Sequence, residues 1–174
     1  MRPTPDDLSE PQACPPAPRR VAGSGDAIAA TSYIDRGNAL QKLDRHEEAL
    51  ASYDRAATLR PDDARVYYNQ GTALLNLGRH EEALARYDRA ISLDPLHTDA
   101  HMNRGLALQR LQRYEEALAN YDTAIALDPG WADAYNDRGT ALQNLQRHEE
   151  ALASYGKAAA LKPGCADACF NQGN

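Results

Sequence analysis

The sequence predicts an all-α chain built as a linear array of antiparallel helical hairpins. Three observations carry this. Pro61, Pro95, Pro129 and Pro163 stand 34 residues apart. Glycine keeps the same interval at Gly37, Gly71, Gly105, Gly139 and Gly173, and tyrosine keeps it at Tyr53, Tyr87, Tyr121 and Tyr155. One period shared by three residue types marks an internal repeat. Within each period, apolar residues recur at the three- and four-residue spacing of a helix face.

In chain order, residues 1–27 come first. They hold six of the ten prolines (Pro3, Pro5, Pro11, Pro15, Pro16 and Pro18) and no helical pattern. That composition predicts a disordered tail, with Gly23-Ser24-Gly25 as a flexible joint. The array then occupies 28–174, with repeats at about 30–63, 64–97, 98–131 and 132–165 and a partial fifth at 166–174. The second repeat shows the logic. Asp62 or Asp63 caps its first helix by accepting from a free backbone N–H. Val66, Tyr67, Ala73, Leu74 and Leu77 form the apolar face, and Gly78 supplies the left-handed residue that ends the helix. A second helix begins near Glu81, where Glu81 and Glu82 meet the positive end of the helix dipole. It carries Ala83, Leu84, Tyr87, Ala90, Ile91 and Leu93 inward, and Pro95 ends it. Small residues, Gly71 with Ala83 and their equivalents, are expected where the two helices cross, with Tyr87 filling the space beside them. Gly156 replaces the aspartate found at 54, 88 and 122, which marks the fourth hairpin's second helix as the weakest.

The charge balance narrows the function. Nineteen Lys and Arg against 25 Asp and Glu leave a net charge of −6. This disfavours nucleic acid, whose phosphates need clustered cations. No apolar run approaches the roughly 18 residues of a membrane helix, and the N-terminus lacks the apolar region of a secretory signal. Three cysteines make no disulfide framework. The expectation is a soluble, cytoplasmic protein. No nucleophile elbow, phosphate-binding loop or dinucleotide fingerprint is present. The Glu-Glu pairs repeat at every second-helix start, where the dipole explains them. His46, His80 and His148 share a slot with Tyr114 and so read as packing groups. His97 and His101 have a metal-compatible spacing, but His101 occupies an aromatic slot of the repeat. Cys165 and Cys169 lack further ligands. The chain is therefore expected to be no enzyme and to need no cofactor or metal.

The residues Tyr67, Gly71, Leu74, Ala83, Tyr87, Ala90 and Pro95 resemble the signature of the tetratricopeptide repeat. The other copies run Tyr33, Gly37, Leu40, Ala49, Tyr53, Ala56, Pro61, then the same series from His101 to Pro129 and from Tyr135 to Pro163; His101 is the clear departure. The resemblance implies a right-handed superhelical solenoid in which first helices line a concave groove that binds a peptide or protein segment.

Residues of the first helices that the signature leaves free then face the groove. The candidate contacts are Asp35, Asn38, Tyr68, Asn69, Thr72, Met102, Asn103, Arg110, Asn136 and Asp137. One column runs Asp35, Asn69, Asn103, Asp137, Asn171. An asparagine there offers both a donor and an acceptor to a peptide backbone. The column resembles the asparagine ladder in the repeat arm of O-linked N-acetylglucosamine transferases. Beside it, Ile34, Tyr68, Met102 and Phe170 are expected to receive apolar side chains. Chaperone adaptors of the family hold a C-terminal carboxylate with lysine, arginine and asparagine. The matching positions here are Ile34, Asn38, Asn69, Asp99 and Asn103, so the cations that make carboxylate capture strong are missing.

The leading reading is a protein-interaction scaffold. The alternative is the substrate-selecting arm of a larger enzyme, such as a glycosyltransferase. The sequence stops early in a fifth first helix, so either more protein follows or the open end supports end-to-end self-association.

Overall fold

The computed structural model describes residues 24–162, and these form eight α-helices and no strand. The helices are α1 Ser24–Gln41, α2 His46–Leu59, α3 Ala64–Asn76, α4 His80–Leu93, α5 Thr98–Arg110, α6 Tyr114–Leu127, α7 Ala132–Asn144 and α8 His148–Leu161. They pair as the four expected hairpins, and each hairpin packs on the next. Successive first helices also touch, α1 with α3, α3 with α5 and α5 with α7. These helices therefore lie on the inner side of the curve. The first helix starts at Ser24, so Ser24 and Gly25 belong to its first turn rather than to a flexible joint. The remainder of the expected tail and the partial fifth repeat lie outside the described residues.

The repeat glycine has a different partner from the one its spacing suggested. A Cβ built on Gly71 would stand 2.6 Å from Cε1 and 2.8 Å from Cδ1 of Tyr87. Gly37, Gly105 and Gly139 face Tyr53, Tyr121 and Tyr155 in the same way. The crossing is thus glycine against a tyrosine ring rather than glycine against alanine. All four rings are buried, and together with Leu74, Leu108 and Leu142 they form the spine of the core.

Each first helix ends on a residue of positive φ: Asp44 (56°), Gly78 (73°), Gln112 (60°) and Gln146 (60°). In the second hairpin, Arg79 N–H reaches back to Leu74 O at 2.9 Å and Gly78 N–H to Leu75 O at 3.0 Å. This pair of bonds is the Schellman ending, which favours glycine at the left-handed position. A side chain there costs roughly 1 kcal/mol or more, partly offset by the greater unfolded-state freedom of glycine. Gln112→Gly is therefore expected to stabilise the array by about 0.5 kcal/mol, read as a higher urea midpoint; a lower midpoint would contradict it.

Dipole stabilisation covers only half of each Glu-Glu pair. The second glutamate is held by the arginine that precedes the helix: Arg45 Nε donates to Glu48 Oε1 at 2.6 Å and Nη2 to Oε2 at 2.7 Å. The same two-pronged pairing recurs at Arg79–Glu82, Arg113–Glu116 and Arg147–Glu150. These pairs are exposed and screened by water, so they add little to stability. Their effect is to fix where each second helix begins.

The aspartate at 54, 88 and 122 joins one hairpin to the next. Asp54 accepts from Gln70 Nε2 (2.7 Å), Asp88 from Arg104 Nε (2.7 Å) and Asp122 from Arg138 Nε (2.6 Å). Gly156 lacks this acceptor, although α8 continues through it to Leu161. Leu152, on the same helix, is 49% exposed, whereas its equivalents Leu84 and Leu118 are 6% and 8% exposed.

Candidate peptide-binding groove

The inner face of the first helices carries the candidate residues, but their roles divide. Asp35 and Asn38 on α1 are exposed, and Tyr68, Asn69 and Thr72 on α3 are half-buried. Four of these five border one hollow: Asp35, Asn38, Tyr68 and Asn69, with Thr31, Ile34, Arg65 and His97 completing a volume of about 470 Å³. Arg110, Asn136 and Asp137 lie further along the array and do not join it. Met102 is 6% exposed and sits in the core cluster, so it gives a ligand almost no surface. The flexible thioether packs there with Leu74, Tyr87 and Leu108 in the same cluster.

The amides in the column are tied to their neighbours. Asn69 Nδ2 donates to Asn38 Oδ1 (3.3 Å), which also receives the Tyr53 hydroxyl (2.8 Å). Asn103 Nδ2 donates to the Tyr68 hydroxyl (3.2 Å) and reaches Thr72 Oγ1 at 3.5 Å. One N–H of Asn69 and both of Asn103 are thus engaged between successive first helices. The two Oδ1 atoms carry no bond among the described residues. Both asparagines offer oriented acceptors, and Asn69 keeps one N–H as a donor.

Tyr68 is the centre of the hollow. Its ring lies 4.8 Å from the His97 ring, centroid to centroid, and 6.2 Å from that of Tyr87. Burial raises its hydroxyl pKa, and the Asp99 carboxylate adds to the effect. His97 is engaged by this stacking. His101 lies 3.1 Å, Nε2 to oxygen, from the Pro95 carbonyl, where Tyr67 in the preceding repeat donates to Pro61 O at 3.0 Å. That shared carbonyl explains why histidine can stand in an aromatic slot. Nothing in the repeat pattern marks the pairing of Arg65, whose guanidinium grips Asp63 through two bonds at the lip of the hollow. Asp63, not Asp62, also caps α3 by accepting from Arg65 N–H.

At the far step the column residue is a carboxylate. Burial raises the Asp137 pKa to about 6; Asp133 adds to the shift and Arg110 opposes it. Asp133 itself is paired with Lys162 Nζ at 3.0 Å.

Models of the tetratricopeptide repeat match residues 34–95, 68–132 and 132–165. The chain belongs to the tetratricopeptide repeat family. No curated protein matches it. Among solved structures it resembles MamA (residues 41 to the end) from Desulfovibrio magneticus, at 26% identity and a TM-score of 0.80, covering 87% of this chain and 84% of that one. It also resembles YrrB, described as a tetratricopeptide protein with an unusual peptide-binding site, at 28% identity and a TM-score of 0.76, covering 86% and 77%. A third relative is the first such domain of Spaghetti (RPAP3), bound to the HSP90 peptide SRMEEVD, at 29% identity and a TM-score of 0.62, covering 63% and 87%. The right-handed superhelical solenoid of hairpins is therefore the fold of this tetratricopeptide protein. No described helix is long and apolar enough to cross a membrane.

Proposed function

We propose that this protein is a non-catalytic interaction scaffold that holds an extended segment of a partner protein in its concave groove, in the cytoplasm. The observation that carries the reading is the fixed pair of acceptors, Asn69 Oδ1 and Asn103 Oδ1, on consecutive first helices. Backbone N–H groups recur in any peptide, so acceptors held at a regular step can grip a chain independently of its sequence. The hollow around Tyr68 and Ile34 then receives one apolar side chain beside that backbone. The YrrB peptide-binding site and the Spaghetti peptide complex support the reading by analogy of fold.

The groove does not suit an acidic tail such as SRMEEVD. Asp35, Asp99, Asp133 and Asp137 line the inner helices, while Arg65 is engaged by Asp63 and Lys162 by Asp133.

The test uses the full chain against a random dodecapeptide library displayed on phage, with affinities of the recovered peptides measured by fluorescence polarisation. Recovered peptides are expected to lose at least about tenfold in affinity to the Asn69→Ala, Asn103→Ala double variant, whose helical circular dichroism stays intact. Failure to recover peptides, or equal affinity for the variant, would refute the groove reading.

A further inference from the structure

The groove is not uniform along its length. At the first two steps the column asparagine finds a polar group on the preceding first helix: Asn38 for Asn69, and Tyr68 with Thr72 for Asn103. One repeat further on, the positions that Tyr68 and Thr72 held are taken by Met102 and Leu106, and the column residue is Asp137. A carboxylate only accepts, and the two residues opposite have nothing to donate. Asp137 makes no hydrogen bond or ion pair with any described residue, although it is half-buried. Burying a carboxylate without a donor is costly, so the step is built for a donor that the array does not supply.

We propose that the step between α5 and α7 takes a cationic side chain, a lysine or arginine of the bound segment, with the Asp137 carboxylate as its acceptor. This rests on the groove reading and names the chemistry of the partner. The groups facing Asp137 are Asp133 on its own helix, Arg110 on α5 and the Tyr121 hydroxyl on α6. Tyr121 already donates to Gln109 Oε1 at 3.0 Å, and Asp133 is paired with Lys162 at the surface. Arg110 is exposed at the end of its helix, long enough to turn to water when a ligand cation arrives. A desolvated cation–carboxylate contact is the strong kind of charged hydrogen bond.

The test is a double-mutant cycle on the recovered library peptides. They are expected to share a Lys or Arg. Replacing it by Gln should cost about tenfold in affinity for the wild-type chain at pH 7.5 but less than twofold for Asp137→Asn, and the preference should fade at pH 4.5. Asp133→Asn should leave it largely unchanged. Peptides that bind and need Asn69 and Asn103 but carry no shared cation, or cost terms that simply add, would overturn this proposal while leaving the groove reading standing. If no peptide binds, both fall.

Discussion

Gly105→Ala is expected to destabilise the array by about 2 kcal/mol, the opposite of what the same change does on an ordinary helix. In an open helical site, replacing glycine by alanine gains up to about 1 kcal/mol of propensity. Here the new Cβ would fall 2.6 Å from Cε1 and 2.9 Å from Cδ1 of Tyr121. The ring is fully buried and its hydroxyl is tied to Gln109, so it cannot step aside. The two helices of the hairpin must part instead. Overpacking of this kind costs about 1–3 kcal/mol, and the lost packing between α5 and α6 adds to it. Gly25 is the internal control, because nothing lies within 4 Å of its Cβ position; Gly25→Ala should be neutral or mildly stabilising. In a Tyr121→Leu background the clash is gone, and Gly105→Ala should cost almost nothing. Urea midpoints of the three variants and their combination read the cycle. A raised midpoint for Gly105→Ala alone would show that the ring is free to move.

The features that were legible in the sequence are those that repeat and act locally. The glycine at 78 and the prolines at 61, 95 and 129 locate the turns, because backbone geometry at a helix end depends on a few consecutive residues. The tyrosine–glycine crossing was half legible. The period showed that both recur, but not that the ring lies on the glycine rather than beside it. Less legible were side chains whose partner sits on another element. Asp54, Asp88 and Asp122 look like solvated surface until the next hairpin's Gln70, Arg104 and Arg138 arrive 16 residues later. The groove column showed the same limit. Periodicity placed Asn69 and Asn103 on the inner face, yet it could not tell that each amide donates to a group 31 or 35 residues back. Met102 shows the same limit. The same repeat slot holds half-buried Tyr68 at the hollow and Met102 in the core, so the period alone does not give the burial.

Asp137→Asn is expected to stabilise the protein at neutral pH and to lose that advantage in acid. Asp137 titrates near 6 in the folded chain, against an ordinary 3.8, chiefly because burial penalises its charge. A carboxyl whose folded value is raised holds its proton more tightly when folded than when unfolded. Folding therefore takes up a proton between about pH 4 and pH 6, and stability falls as pH rises through that window. Above it the full cost of the buried charge is present; below it both states are protonated and no cost remains. The shift corresponds to at most about 3 kcal/mol, and the part of the side chain still facing water reduces this to about 1–2 kcal/mol. Asparagine keeps the shape, carries no charge and matches the residue at 69 and 103. The variant should thus raise the thermal midpoint by a few degrees at pH 7.5 and by almost nothing at pH 4. An equal gain at both pH values would assign the effect to packing rather than to the charge. Because the same change should remove the preference for a cationic side chain, it separates two demands on one residue: the carboxylate weakens the empty array and is worth its cost only when a partner's cation occupies the step.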